Sequence, residues 1–167
     1  MRIRASTSAD DTPIWQVIEP IIRAGETLML PPELGRADAL AYWRAPEHET
    51  AVAEQDEVVV GTYYLRANQR GPGDHVANCG YATAPWATGR GIARAMCLHS
   101  LERARARGFR AMQFNCVVAS NERAVRLWQG CGFEIVGRVP DTFRHPRLGL
   151  VDTLVMYRQL SRTRLSA

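Results

Sequence analysis

Hydrophobic positions along the chain follow two different periodicities. Near the N-terminus, Ile14, Val17, Ile18 and Ile22 recur at helical spacing, whereas later segments alternate residue by residue as strands do. Four helices are predicted: one that carries these isoleucines and ends near Gly25, one from Ala37 to Arg44, one from Gly91 to Arg107, and one that begins at Ser120 or Asn121 and stops at Gly130 and Gly132.

Segments rich in β-formers lie between these helices. Asp56 and Glu57 mark a hairpin turn. In the strand at 110–118, alternation places Met112, Phe114, Cys116 and Val118 on one face and Gln113, Asn115 and Val117 on the other. Strands are predicted at 2–5, 51–55, 58–65, 75–85, 110–118, 133–139 and 152–158. The pattern predicts a single mixed α/β (α+β) domain over residues 1–160, with a flexible tail at 161–167.

Composition narrows the function classes. The chain of 167 residues has 46% hydrophobic residues and a net charge of +4, typical of a globular domain with an anionic partner. Its basic residues are all arginine, they are scattered, and no recognised nucleic-acid motif accompanies them, so no nucleic-acid partner is predicted. No apolar run reaches membrane-spanning length. A cytoplasmic protein without a membrane partner is therefore expected.

The four cysteines and four histidines show no metal-ligand spacing. Cys79, Cys97, Cys116 and Cys131 are far apart and form no C-x-x-C pair. We therefore expect no metal site, and four buried thiols in a reducing compartment.

The segment Thr88-Gly89-Arg90-Gly91-Ile92-Ala93 precedes the third predicted helix. Glycines let a ligand approach the backbone, and N–H groups at a helix start favour an anion, although the same residues also suit an ordinary turn. Neither the Walker loop nor the dinucleotide fingerprint fits, since the first needs G-K-[ST] and the second needs Gly or Ala where Arg94 stands.

A second motif, N-x-x-A-x-x-L-W-x-x-x-G-F, runs from Asn121 to Phe133, and a strand separates the two motifs. Together they resemble the GNAT superfamily of acetyl-CoA-dependent N-acyltransferases, whose patterns are Q/R-x-x-G-x-G/A and N-x-x-A-x-x-L-Y-x-x-x-G-F. The resemblance implies the GNAT fold, a mostly antiparallel mixed sheet of six to seven strands with helices on both faces. It also implies acetyl-CoA as cosubstrate, held by Thr88, Gly89, Arg90, Gly91, Ile92, Ala93, Asn121 and Trp128.

The resemblance further implies that the strand ending at Pro85 and the strand of Asn115 splay apart. Pantetheine would then pair with the backbone of Ala82 and Thr83, and an amide there would polarise the thioester carbonyl. The amine would attack the acetyl carbon directly in a ternary complex.

Two residues depart from the family patterns. Thr88 replaces glutamine or arginine, which removes a side-chain contact to phosphate but leaves the backbone amides. Trp128 stands where many relatives have a tyrosine thought to protonate the departing thiolate, and an indole N–H is no practical proton donor. Packing in the core is the main role expected for Trp128.

Two asparagines carry a closer resemblance. H-V-A-N-C-G-Y and Q-F-N-C-V-V-A-S-N-E-R-A-V-R-L-W resemble the branch that includes yeast azetidine-2-carboxylate N-acetyltransferases, in which asparagines matching Asn78 and Asn115 are tied to substrate binding and catalysis. An amide within a core strand is costly unless it is hydrogen-bonded. Each side chain therefore either contacts substrate or bonds to neighbouring backbone.

The sequence reveals no obvious general base. His75, Glu54 and Tyr81 are candidates by position, and a water relay is the alternative. His99 is expected to be structural, and His145 either lines the acceptor mouth or lies in a solvated loop. The proline-broken segment at 26–49 either walls the acceptor pocket or is a plain connection.

These observations predict an N-acetyltransferase that acts on a small-molecule amine, with an amino acid or amino-acid analogue as one possibility. The alternatives are a coenzyme A-binding protein without transfer activity and an acetyltransferase of protein or peptide amines. Because many GNAT relatives dimerise through their last strands, the resemblance also implies a homodimer.

Overall fold

A computed structural model describes residues 1–160 of the chain. The predicted tail at 161–167 lies outside the described residues. Four helices and seven strands follow the predicted order: β1 (Arg2–Ala5), α1 (Asp11–Ala24), α2 (Arg36–Trp43), β2 (Glu49–Gln55), β3 (Val58–Ala67), β4 (Val76–Thr83), α3 (Ile92–Ala106), β5 (Ala111–Val118), α4 (Glu122–Gly130), β6 (Glu134–His145) and β7 (Gly149–Gln159).

All seven strands form one sheet in the order β1-β2-β3-β4-β5-β7-β6. Neighbouring strands are antiparallel except β4 and β5, which run parallel and pair only at Val76 with Ala111 and at Ala77 with Met112. Beyond these two pairs β4 and β5 separate, as the resemblance implied. The open edges that result lie in the middle of the sheet.

Helices cover both faces of the sheet. Adjacent residues of β3 point to opposite sides, as side chains in a strand do. Tyr63 Oη lies 2.7 Å from His99 Nδ1 of α3, while Thr62 Oγ1 accepts a hydrogen bond of 3.1 Å from Trp43 Nε1 of α2. Helix α1 packs against β3, β4 and α2. The mixed sheet of seven strands with helices on both faces confirms the predicted fold class.

The apolar stripe of α1 explains its position. Ile14, Val17, Ile18 and Ile22 are all at most 1% exposed and join the main core cluster. The helix ends at Gly25, which adopts a left-handed conformation (φ +63°), the usual glycine C-cap. No helix within residues 1–160 is long and apolar enough to cross a membrane.

The alternation predicted for β5 is wrong after Phe114. Its pairing with β7 shifts register between Phe114 and Val117, so a bulge inserts one extra residue into the strand. As a result Val117 and Val118 are both buried, and Cys116 is exposed rather than the buried thiol that was expected. The other three cysteines are buried and free.

The last hairpin is longer than the sequence predicted. The segment around His145, predicted to lie between strands, continues β6 and pairs with the start of β7. His145 is 7% exposed, and its Nδ1 accepts hydrogen bonds from the N–H groups of Arg147 and Leu148. It therefore fixes the turn, and neither prediction made for it, the acceptor mouth or a solvated loop, is correct.

Candidate active site

A cavity of about 890 Å³ passes through the gap between β4 and β5. Its walls come from both faces of the sheet: Tyr64 and Asn78 lie on the α2 side, and Tyr81 and Trp128 lie on the α3 side. The volume falls in the range of small-molecule sites. Residues of the segment between α1 and α2 form one wall of the cavity: Thr27, Leu28, Met29 and Leu30. Their position agrees with the prediction that this segment walls a pocket.

The glycine motif forms the donor end of this cavity. Gly89 and Gly91 both have positive φ, +88° and +77°, and a Cβ on either would meet no atom within 4 Å. No side chain caps the start of α3, so its first N–H groups are open to a ligand. Open space beside unpaired amides fits a phosphate group. This arrangement favours the anion-binding interpretation of the motif over an ordinary turn.

The motif residues do not all reach the cavity. Its lining includes Thr88, Gly89, Gly91, Ile92 and Ala93. Arg90 is exposed and does not line it, so a contribution of Arg90 to phosphate binding stays a prediction.

Helix α4 contributes the facing side of the donor end. Asn121 is the N-cap of α4 and accepts a hydrogen bond from the N–H of Ala124, which leaves its amide NH₂ available. Arg94, Arg123 and Arg126 also line the cavity. The sequence analysis missed these three arginines, although their place near the starts of two helices agrees with anion binding.

Asn78 lies where β4 and β5 part. Its side chain is 7% exposed, and Nδ2 donates a 2.9 Å hydrogen bond to the carbonyl oxygen of Gln113 on β5. This bond satisfies a backbone acceptor that has lost its strand partner. Asn78 therefore bonds to neighbouring backbone and also lines the cavity, so it combines features of both predicted alternatives.

Asn115 lies two residues after Gln113 on β5, within the bulge. Its Nδ2 donates to Asn68 Oδ1 at 2.7 Å, and its Oδ1 accepts from Gln113 Nε2 at 2.9 Å. Asn115 also lines the cavity. The three side chains hold one another in fixed orientations at the wall, which is what positioning a ligand requires.

Trp128 and Tyr81 pack together on the opposite side of the gap. Their ring centroids lie 4.9 Å apart, and Trp128 also packs edge-on against Phe114 at 5.2 Å. Trp128 is 8% exposed, in agreement with the packing role expected for it. Burial raises the pKa of Tyr81 well above its ordinary value, and its hydroxyl lies 2.6 Å from Ser100 Oγ, so this phenol stays protonated and does not act as a base.

The other two base candidates lie outside the cavity. His75 is exposed, and Glu54 is paired with Arg4 across β1 and β2. His99 bonds to Tyr63 and does not line the cavity, in agreement with a structural role. Among the described lining residues there is no Asp, Glu or His. Within residues 1–160, no three such side chains, counting Cys, gather where a metal ion could bind.

Arg66 is a further cavity residue that the sequence analysis did not single out. Arg66 on β3 lies opposite Asn78 on β4 in the strand register, and both side chains lie on the α2 face of the sheet. Its alternation with Tyr64 was a usable signal, because residues two apart on a strand share a face.

Comparison with known proteins agrees with this geometry. A sequence model of the acetyltransferase (GNAT) family matches residues 15–133. The N-acetyltransferase aca1 of Schizosaccharomyces pombe is 31% identical over 100 residues, which are 60% of this chain and 48% of that protein. The chain thus spans about half the length of this curated relative.

Solved structures of the family share the fold. A GCN5-related N-acetyltransferase from Kribbella flavida is 40% identical and superposes with a TM-score of 0.89 over 95% of this chain and 97% of that one. A GNAT superfamily phosphinothricin acetyltransferase from Sinorhizobium meliloti, solved with acetyl-CoA, is 22% identical with a TM-score of 0.83 over 95% and 88% of the two chains. With the family predicted from the motifs confirmed, the chain belongs to the GNAT family of acetyl-CoA-dependent acetyltransferases.

Proposed function

We propose that this protein transfers the acetyl group of acetyl-CoA to the amine of a small molecule by direct attack in a ternary complex. One observation carries the proposal: the open amides at the start of α3 and the bonded amide side chains of Asn78 and Asn115 line one continuous cavity. Its limited volume favours a small acceptor over a folded protein.

The donor end supplies binding and orientation. Acetyl-CoA brings an activated thioester, whose phosphates suit the backbone N–H groups at the start of α3 and the arginines beside them. The free edge of β4 at Ala82 and Thr83 offers backbone groups to an extended ligand, and both residues line the cavity. Holding both reactants beside each other lowers the entropic part of the barrier.

The acceptor must attack as a neutral amine. No acidic or histidine side chain among the described lining residues would take its proton, so the proton passes to water. The ammonium loses one proton to water, and the neutral amine attacks the thioester carbonyl carbon to form a C–N bond. The C–S bond then breaks, the thiolate leaves, and the nitrogen loses its second proton to water or to the thiolate. The Trp128 indole can donate a hydrogen bond to the thiolate but no proton.

The proposal is tested by thiol release from acetyl-CoA over a panel of amino acids, polyamines, aminoglycosides and peptides. We expect turnover on a class of small amines. Asn115→Ala should lower kcat/KM for that class by roughly 10-fold or more, because Asn68 and Gln113 lose their common partner. Gln129→Ala, which removes an exposed amide of α4 outside the cavity, is the matched control and should leave kcat/KM unchanged.

Two outcomes would contradict the proposed reaction, and a third would contradict the role given to Asn115. Cofactor binding without turnover on any amine would support a coenzyme A-binding protein that lacks transfer activity. Turnover on peptides alone would move the acceptor to a protein amine. Equal activity of the Asn115→Ala variant and the Gln129→Ala control would show that the polar side chains around Asn115 do not bind the acceptor.

We also propose that the protein acts in the cytoplasm as a homodimer that forms through β6 and β7. Three buried free cysteines support a reducing compartment. At the edge of the sheet, the last hairpin carries apolar side chains that are 41–61% exposed: Ile135, Val136, Val139, Leu148 and Leu150. Such a cluster on an edge strand is typical of a surface that pairs with another chain.

A further inference from the structure

Arg66 carries a positive charge that no described residue neutralises. It takes part in no ion pair or hydrogen bond within residues 1–160, and its Nε is buried without an acceptor. A guanidinium N–H that is removed from water and left unpaired is unfavourable. This suggests that a ligand supplies the missing acceptor.

The position of Arg66 separates it from the donor end. It lies on the α2 face of the sheet, in register with Asn78. By contrast, Arg94, Arg123 and Arg126 belong to α3 and α4, which pack against the other face. Arg66 is therefore the cation on the acceptor side of the gap.

The polar side chains around Arg66 are already engaged. The Asn78 Nδ2 donates to the carbonyl of Gln113, the Asn115 Nδ2 donates to Asn68, and the Tyr64 hydroxyl lies 3.1 Å from that of Tyr42. Each of these amides keeps a second N–H, and the guanidinium is the charged donor group of this wall. Its planar fork suits a carboxylate, which accepts two parallel hydrogen bonds from it.

The surroundings leave the charge of Arg66 unpaired on the cavity side. No carboxylate is among the described residues that line the cavity, and Glu47 borders only the neighbouring surface depression, which Arg66 also touches. The nearby His48 ring stacks on Tyr64 at 4.2 Å, and burial lowers the pKa of His48, with Arg66 lowering it further, so the ring stays neutral and Arg66 is the cation of this group. A polycationic acceptor such as a polyamine or aminoglycoside would be repelled.

The opposite wall sets the rest of the acceptor. Apart from Thr27 it is apolar, and it consists of residues from α1 and the segment that follows: Ile21, Leu28, Met29 and Leu30. An acceptor that fits both walls has a carboxylate, an amine and a small apolar group.

We propose that Arg66 binds the carboxylate of the acceptor, so that the substrate class is α-amino acids with small apolar side chains. This inference rests on the proposed function, because it assigns the acceptor end of the same cavity. The carboxylate on Arg66 anchors one end of the amino acid, and its amine faces the gap between β4 and β5.

The test measures binding and turnover separately. Calorimetry on CoA-saturated protein compares L-proline, L-alanine and L-valine with their carboxamides, which have the same shape without the negative charge. We expect the acids to bind more tightly than the amides. Arg66→Gln should weaken binding of the acids by roughly 10- to 100-fold and leave the amides and CoA nearly unchanged. Arg66→Lys should restore only part of the affinity, because it keeps the charge without the fork.

Arg70→Gln is the matched control. Arg70 is exposed and borders only a neighbouring surface depression that Arg66 also touches, so its loss should not change discrimination between acid and amide. The inference is overturned if no acid binds, if acids and amides bind equally, or if Arg66→Gln leaves their ratio unchanged. Thiol release tests the proposed function independently. If the protein acetylates uncharged or cationic amines and Arg66→Gln does not change the rate, the carboxylate-binding role of Arg66 is wrong, whereas the proposed transferase activity stands.

Discussion

Gly91 lies in a left-handed conformation (φ +77°) directly before α3, and the space where a side chain would stand is open. Gly91→Ala should cost about 1 kcal/mol of unfolding free energy, because an L-residue is strained there. It should also weaken acetyl-CoA binding by roughly 10-fold or more, since the methyl group would occupy the space that fits a phosphate. Urea unfolding and calorimetry with acetyl-CoA measure the two effects.

Gly108 provides the control at the other end of the same helix. It has a similar φ of +83° and also has no atom within 4 Å of a Cβ position. Gly108→Ala should therefore lose comparable stability while its acetyl-CoA affinity is unchanged. Equal affinity loss in both variants would assign the Gly91 effect to helix strain and would remove the phosphate site from the start of α3.

Asp10 is a buried carboxylate near the start of α1. Hydrogen bonds of 2.8 Å from both Nη atoms of Arg4, followed by bonds from Thr7, lower the pKa of Asp10 to about 2 from an ordinary value of 3.8. A lowered pKa in the folded state stabilises the protein above pH 4, and this contribution is lost as the pH falls through about 2. Asp10→Asn should lose roughly 2 kcal/mol at pH 7.

The pH dependence separates this ion pair from other effects of the substitution. The stability difference between wild type and Asp10→Asn, measured by urea unfolding, should shrink steadily from pH 4 to pH 2. Asp74→Asn, at an exposed aspartate that forms no ion pair within the described chain, is the matched control and should cost little stability at pH 7. A constant deficit for Asp10→Asn down to pH 2 would contradict the assignment.

Residue types alone indicated where polar groups were unusual, but not what they contact. Asn78 and Asn115 were singled out by the family resemblance, with the cost of an amide in a core strand as a second argument. Their partners, the carbonyl of Gln113 and the side chain of Asn68, follow from strand register, which local sequence does not determine. The alternation of Arg66 with Tyr64 indicated its face, but the lack of a partner for its Nε is visible only in the folded structure.

At the scale of elements, the bond from Asn78 to the carbonyl of Gln113 connects β4 and β5 where the two strands part. Asn78→Ala should cost about 1–3 kcal/mol, because it leaves a buried carbonyl unpaired. If the side chain mainly holds the strands, kcat and acetyl-CoA affinity should fall together. Asn78→Asp should be worse, since a carboxylate cannot donate to that carbonyl at neutral pH.

Comparison with Asn115→Ala tests whether Asn78 holds the two strands, because the bonds lost in Asn115→Ala join side chains and no backbone carbonyl. Asn115→Ala should reduce kcat/KM for the amine with a smaller loss of stability. A stable Asn78→Ala variant with normal cofactor binding would show that Asn78 does not hold the gap.

The order of elements was predictable because each has a strong local signal. The Gly25 and Gly108 helix ends and the Asp56–Glu57 turn all occupy left-handed conformations, as such residues do at helix ends and in tight hairpins. The bulge in β5 and the full length of the β6–β7 hairpin were not predictable, because both arise from pairing with another strand. Cys116 was misplaced as a direct consequence of the bulge.

For the whole molecule, the site is built from segments distant in sequence. The two family motifs specify the donor end, since both lie in contiguous stretches with fixed spacing. The acceptor wall combines β3, β5 and the segment after α1, which meet only once the sheet order is known. That is why the sequence indicated acetyl-CoA clearly and the acceptor weakly.

The same sheet order leaves β6 at an edge, which makes assembly testable. Val136 is 58% exposed on β6. Val58 is 53% exposed on β3, an interior strand separated from β6 by β4, β5 and β7. If two chains pair through the last hairpin, light scattering after size exclusion should give twice the chain mass for wild type. Val136→Glu should shift that mass to a monomer, because a buried unpaired carboxylate is unfavourable.

Val58→Glu introduces the same charge at similar exposure and should remain dimeric. A monomeric wild type at tens of micromolar would reject the dimer. Equal dissociation by both substitutions would indicate that added charge, rather than the β6 surface, controls assembly. Since the cavity is lined by residues of β3, β4, β5 and the helices rather than by β6, the Val136→Glu monomer should keep its affinity for acetyl-CoA, which separates assembly from binding.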